Sequence, residues 1–161
     1  MGKTYRRRYY RGGNKDKYSV EHSSFFTRLT FGTTTSVAVV PPTSVRGMRK
    51  VKHLTVSVGN ATDDDTVPCL TWAIVYVPEG YTPQSFGQPS LENPSVDLYA
   101  ANQFVMSSGV LDFTSGPQRI RTPLSRNLNS GDQIVLLLSP GTSSLNNIDV
   151  RGVVSYAITL Q

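Results

Sequence analysis

The stretch Val150–Leu160, VRGVVSYAITL, alternates two sets of side chains along its whole length. One set is apolar or small, and the other contains Arg151, Ser155 and Thr159. A period of two predicts a β-strand that buries one of its faces in a core. This is the longest such segment of the chain, and it predicts a β-rich fold.

Shorter segments of the same kind precede it, separated by residues that favour turns. Together they predict about eight strands in an antiparallel sandwich of the jelly-roll or immunoglobulin type. Cys69–Val77 is apolar on both faces, which predicts a central strand with Cys69 as a buried, inert thiol. The other predicted strands are Ser24–Phe31, Thr35–Val40, Gly47–Val58, Gln103–Ser107, Val110–Phe113, Arg119–Thr122 and Ile134–Leu138.

One long connection, residues 79–94, interrupts this series of strands and is rich in proline. We expect it to contribute to contacts between subunits, because its prolines lower the entropy cost of ordering a long segment. Ser95–Ala101 is predicted to form one or two helical turns, with Ser95 as the N-cap.

Charge is divided unevenly along the chain. Residues 1–52 contain twelve Lys or Arg against two acidic residues, a net charge of +10, whereas residues 53–161 contain four Arg against nine acidic residues, a net charge of −5. Such a polarised molecule is suited to presenting one end to a polyanion. Charged residues make up only 17% of the chain, below the roughly 25% usual for soluble domains, which indicates extensive contact with other protein. No apolar run is long enough for membrane insertion.

Residues 1–17 form a basic arm without apolar periodicity, and residues 18–161 form the predicted folded domain. We expect the arm to be flexible until it binds a partner. Arginine side chains pair with phosphate oxygens, and tyrosine rings between them can stack on unpaired bases at about 1–3 kcal/mol per base. The predicted nucleic-acid-binding residues of the arm are Lys3, Tyr5, Arg6, Arg7, Arg8, Tyr9, Tyr10, Arg11, Lys15 and Lys17.

A second basic cluster consists of Arg46, Arg49, Lys50 and Lys52. It favours nucleic-acid binding over the alternatives of a nuclear-localisation signal or a generic disordered tail. On a regular strand Lys50 and Lys52 would share a side with Leu54, so a bulge or a strand end must separate the basic part from the core part. We expect the cluster to lie where the arm joins the domain.

The chain contains few side chains that could carry out catalysis. His22, His53 and Cys69 are the only imidazoles and thiol, and none stands in a nucleophile motif. The sequence therefore predicts no enzyme and no cofactor. Asp63–Asp65 supplies three carboxylates that could hold a divalent cation, but the run lacks EF-hand spacing and a solvated turn is favoured, so we predict no metal site.

Three segments carry a family resemblance. Thr4–Arg11, in which arginines are broken by tyrosines, resembles the start of circovirus coat proteins. Arg49–Val56 resembles an early strand of circovirus and nanovirus coat proteins, and Ile134–Leu138 followed by Val150–Leu160 is similar to their last two strands. The resemblance covers about a third of the chain. It is a resemblance to the coat proteins of small circular single-stranded DNA viruses as a group.

The resemblance implies an antiparallel eight-stranded jelly-roll sandwich with a flexible basic arm. It further implies a T=1 shell of 60 copies, packaging of single-stranded DNA in the virion, and recognition of the arm by a host nuclear import receptor. Satellite RNA viruses have coat proteins of similar length and design, so RNA stays open as the genome. A cellular single-stranded nucleic-acid-binding module is a further alternative.

Overall fold

The computed structural model describes residues 18–61, 69–86, 98, 103–140 and 147–160, except for the side chain of Leu160. This part of the chain forms nine β-strands and one 3-10 turn, Phe113–Ser115. The strands are β1 (Ser19–Leu29), β2 (Thr35–Val40), β3 (Arg49–Asn60), β4 (Leu70–Val77), β5 (Phe104–Leu111), β6 (Gln118–Arg121), β7 (Arg126–Leu128), β8 (Gln133–Pro140) and β9 (Ile148–Leu160). No helix within these residues is long and apolar enough to cross a membrane.

The strands form two antiparallel sheets. A five-stranded sheet has the order β1-β9-β3-β6, with β7 also paired to β3, and a four-stranded sheet has the order β2-β8-β4-β5. The first strand thus lies beside the last, and the second lies beside the last but one. This arrangement is the jelly roll that was predicted, because the chain folds back on itself and then wraps across two facing sheets.

The predicted strands agree with the observed ones in most places, and the fold class is confirmed. The segments predicted as Gln103–Ser107 and Val110–Phe113 are one strand, β5, and the three-residue strand β7 was not predicted because it is too short to show a period. The helical turns predicted at residues 95–101 fall outside the described residues, apart from Leu98, which lies in no helix or strand.

The main core lies between the sheets, where alternate residues of every strand meet. On β9, Val150, Val154 and Tyr156 are buried while Arg151 and Val153 are exposed, as the alternation predicted. β4 is buried on both faces, which confirms its central position. Its second face joins a smaller apolar cluster on the outside of the four-stranded sheet, formed by Ala73, Val75, Val77, Phe86, Val135 and Leu137 with Leu98 and Val105 packed against it.

The two sheets differ sharply in charge. The four strands of the four-stranded sheet contain no Asp, Glu, Lys or Arg. The five strands of the other sheet contain eight Lys or Arg and two acidic residues, a net charge of +6. The charge asymmetry seen along the sequence therefore becomes, among the described strands, an asymmetry between the two sides of the sandwich.

Candidate nucleic-acid interface

A β-bulge in β3 separates its basic residues from its core residues, as predicted. The pairing of β3 with β9 shifts between Lys52 and Thr55, and His53 has a φ of 54°, in the left-handed region. The extra residue reverses the side to which later side chains point. Val51 and Leu54 can consequently both reach the core, while Lys50 and Lys52 lie on the outer face of the five-stranded sheet.

Tyr18, which directly follows the arm in the sequence, lies next to Lys52 of this cluster. The Nζ atom of Lys52 lies 4.5 Å from the centre of the Tyr18 ring, a cation–π contact. Tyr18 directly precedes β1 and is the first described residue. The predicted binding residues between Lys3 and Lys17 lie outside the described residues.

Arg49 has a different setting from its neighbours in the cluster. Its side chain is buried, and its Nη1 and Nη2 atoms donate hydrogen bonds to the carbonyl oxygens of Pro41 and Asp132, both at 3.1 Å. The guanidinium fastens the end of β2 and the start of β3 to the start of β8, and because it is buried it is not part of the outer surface. Uninterrupted alternation from Leu54 would turn Arg49 outward, but the bulge places Arg49 on the inward side with Val51. Arg46 is exposed in the connection between β2 and β3.

Asp132 is the centre of the network that holds Arg49. Its buried carboxylate accepts hydrogen bonds from the Tyr76 hydroxyl at 2.8 Å and from the backbone N–H groups of Asn129 and Glu79. Burial, followed by this hydrogen bond to Asp132, raises the pKa of Tyr76. The Arg126 guanidinium lies 4.2 Å from the centre of the Tyr76 ring. These contacts are internal and stabilise one end of the sandwich.

Three arginines that the sequence analysis passed over join Lys50 and Lys52. Arg119 and Arg121 on β6 pair with Ser57 and Thr55 of β3, and Arg151 lies on β9. Paired residues of antiparallel strands point to the same side. All three arginines are exposed and point outward. We call the resulting surface the basic face; it consists of Lys50, Lys52, Arg119, Arg121 and Arg151.

Two further charges at the edge of the basic face neutralise each other. Arg28 donates from Nε and Nη2 to the two carboxylate oxygens of Asp149, at 2.6 and 2.9 Å. These hydrogen bonds hold the pKa of the Asp149 carboxyl below its usual value. The pair joins β1 to β9 and adds no net charge to the face.

An exposed aromatic ring lies on the same side of the sheet. Phe26 is 58% exposed and pairs directly with Arg151, whose guanidinium carbon is 5.9 Å from the ring centre. Beside Arg151 a depression of about 370 Å³ opens over Gly59 and Ser57, with Pro117 and Val153 at its walls. The face thus combines cations, a flat ring and an unfilled hollow.

The remaining candidate groups have simple settings. Cys69 is exposed, so the prediction of a buried thiol is wrong: β4 begins only at Leu70, and Cys69 precedes its first ladder pair. His53 is exposed, as expected for the polar side of its strand. Asp63–Asp65 lies outside the described residues. Within those residues no group of three His, Cys, Asp or Glu side chains is placed to hold a metal ion.

Comparison with known proteins gives similarity of structure only. No protein-family model and no curated protein matches the chain. A chain of infectious bursal disease virus, Gt strain, is similar over 92% of this chain and 34% of its own length, with 10% identity and a TM-score of 0.44. A chain of Desmodium yellow mottle tymovirus is similar over 100% of this chain and 92% of its own, with 11% identity and a TM-score of 0.38. With TM-scores under 0.5, these similarities do not bear on function.

Proposed function

We propose that this chain is a viral coat protein whose copies assemble into a closed shell around single-stranded nucleic acid. The observation that carries the proposal is the division of charge between the two sheets. A sandwich with a basic side and an uncharged side suits a wall that separates a packaged polyanion from the outside. The basic face would line the interior, and the sheet whose strands are uncharged would face outward or toward neighbouring copies.

The position of the arm supports the same arrangement. Residues 1–17 join the domain at Tyr18, beside Lys52 on the basic face. The arm and the face would therefore meet nucleic acid on one side of the wall. Clustered arginine and tyrosine favour unpaired strands, because arginine pairs with the phosphates and tyrosine stacks on base faces that only unpaired bases leave free.

The charge balance supports packaging by both parts together. The arm has a net charge of +6, and the five side chains of the basic face add five positive charges. About 60 copies would carry roughly 660 positive charges, against a genome on the order of a thousand phosphates. The arm alone would supply little more than half of that charge.

The finer assignments rest on the resemblance of the arm and three strands to circovirus and nanovirus coat proteins. On that basis we propose a T=1 shell of 60 copies, single-stranded DNA as the cargo, and recognition of the arm by a nuclear import receptor of the host during assembly. Packaging of RNA, as in satellite viruses, is the alternative that the same arm would serve. Contacts between subunits through residues 79–94 belong to this proposal.

Expression of the full chain followed by electron microscopy tests shell formation, and nuclease protection tests packaging. We expect closed particles of uniform size that contain protected nucleic acid, which digestion by DNase or RNase identifies. A chain that stays monomeric at every salt concentration and pH tried would contradict the proposal. It would instead favour a cellular single-stranded nucleic-acid-binding module.

Removal of residues 1–17 tests the role of the arm. We expect particles to form still, with protected nucleic acid reduced by roughly half or more, because the arm holds about half of the inward positive charge. The matched control replaces the basic residues of the arm by glutamine at unchanged length. Normal packaging by both variants would show that the arm is not the packaging element.

A further inference from the structure

The depression beside Arg151 lies where Gly59 has no side chain. Gly59 of β3 pairs with Arg151 of β9, and both positions point to the outer face. The place of a Cβ on Gly59 is open except for Pro117, whose nearest atoms would be 3.7 Å away. A hollow of about 370 Å³ lies at this position, with Ser57, Pro117 and Val153 among the residues that line it.

The residues around the hollow are suited to binding a nucleotide rather than a bare anion. Val153 is 51% exposed at its wall, and Pro117 adds a second apolar surface. Arg151 stands at the rim with its guanidinium toward the Phe26 ring. An anion alone would gain nothing from the apolar walls, whereas a nucleotide has both a flat base and a phosphate.

The size and place of the hollow also fit a single strand. A volume of about 370 Å³ is near the lower end of the roughly 300–1,000 Å³ typical of small-ligand pockets. Phe26 lies eight residues along β1 from Tyr18, which corresponds to about 27 Å at the rise of an antiparallel strand. A single strand of nucleic acid that is held by the arm near Tyr18 could therefore run along the basic face and reach the hollow.

We propose that the hollow over Gly59, together with Phe26 and Arg151, is a subsite for one unpaired nucleotide of a bound single strand. The base stacks on Phe26 or enters the hollow, and Arg151 pairs with the adjacent phosphate. This inference rests on the proposed nucleic-acid-binding function and deepens it, since it assigns part of the binding to the folded domain. Duplex does not fit the subsite, because its bases are stacked and paired inside the helix.

Binding of a fluorescein-labelled oligo-dT of about 12 nucleotides to the full chain tests the subsite by fluorescence anisotropy. Gly59→Val fills the hollow and leaves every charge in place, and Phe26→Leu removes the ring. A stacked base contributes about 1–3 kcal/mol, so we expect at least one of the two variants to raise Kd by roughly 5- to 150-fold. Ser36→Val and Phe104→Leu are the matched controls on the four-stranded sheet, and they should leave Kd unchanged.

Photocrosslinking of the wild-type chain provides a measurement that does not depend on a variant. An oligo-dT with 5-iododeoxyuridine should crosslink to the peptide that contains Phe26 in addition to any crosslinks in the arm. Tight binding with unchanged Kd in both variants, or crosslinks confined to residues 1–17, would overturn the subsite and leave the proposed function standing. Failure of the wild-type chain to bind oligo-dT would count against the nucleic-acid role of the chain as a whole.

Discussion

Gly152 shows how closely the residues of the five-stranded sheet are packed. It pairs with Phe25 and lies on the inner side of β9, where the Phe25 ring occupies the space that a Cβ would fill. The Ser57 carbonyl oxygen would also lie 3.0 Å from that Cβ. We therefore expect Gly152→Ala to lower the free energy of unfolding by about 1–3 kcal/mol, as other overpacked sites do. Urea unfolding followed by the fluorescence of Trp72 measures the loss.

The control for this prediction is Gly59→Ala on the neighbouring strand. A Cβ there meets only Pro117 at an ordinary contact distance. Because alanine is less costly than glycine to order in a strand, the change should be neutral or stabilising by up to about 1 kcal/mol. A Gly152→Ala variant as stable as Gly59→Ala would show that the Phe25 ring moves aside without cost.

At the scale of elements, the Arg28–Asp149 pair fixes the position of β1, an edge strand, against β9. Asp149→Asn should lower the urea midpoint of unfolding at pH 7, because the two charge-assisted hydrogen bonds to Arg28 are weakened. The pKa of Asp149 is lowered in the folded protein, so its contribution is present above the unfolded value of about 3.9 and is lost as pH falls through the folded value. The difference between wild type and variant should therefore shrink as pH falls below about 3.9 and through the lowered folded value.

The partner of Asp149 supplies the check on that prediction. Arg28→Gln should lower the midpoint at pH 7 by a similar amount, and the double variant should show little additional loss, since both changes remove one interaction. Two independent, additive losses, or a difference that persists undiminished in acid, would mean that the pair does not join the strands as described.

The strands could be predicted from the sequence, but the basic face that they form could not. Alternation predicted β2 and β9 closely, and the conflict between Lys52 and Leu54 required the bulge that His53 provides. Alternation says nothing about which strands are neighbours. Arg119 and Arg151 are distant from Lys52 in the sequence, and only pairing of β6 and β9 with β3 brings them to the same side.

At the scale of the whole molecule, residues 53–161 have a net negative charge, but the strands of the five-stranded sheet have a net positive charge. Of the four acidic residues of 53–161 that the structure describes, Glu79, Asp112 and Asp132 lie outside the strands; among the described residues of the five-stranded sheet only Glu21 and Asp149 are acidic. The net charge of residues 53–161 therefore gives no indication that Arg119, Arg121 and Arg151 lie together on the outer face of this sheet. The sandwich instead offers its own cationic surface next to the point where the arm begins.

The salt dependence of nucleic-acid binding measures how much of that surface takes part. For single strands, log K falls with log salt concentration by about 0.7 per phosphate contact. Arg119→Gln with Arg121→Gln in the full chain should thus reduce the slope by about 1.4 if both guanidinium groups lie on phosphates. Arg126→Gln is the matched control, because its guanidinium lies over the rings of Tyr76 and Phe104 at the end of the sandwich. A slope reduced by about 0.7 by Arg126→Gln, half of the effect of the double variant, would mean that binding reflects the net charge of the molecule. The division of charge between the sheets would then have no part in it.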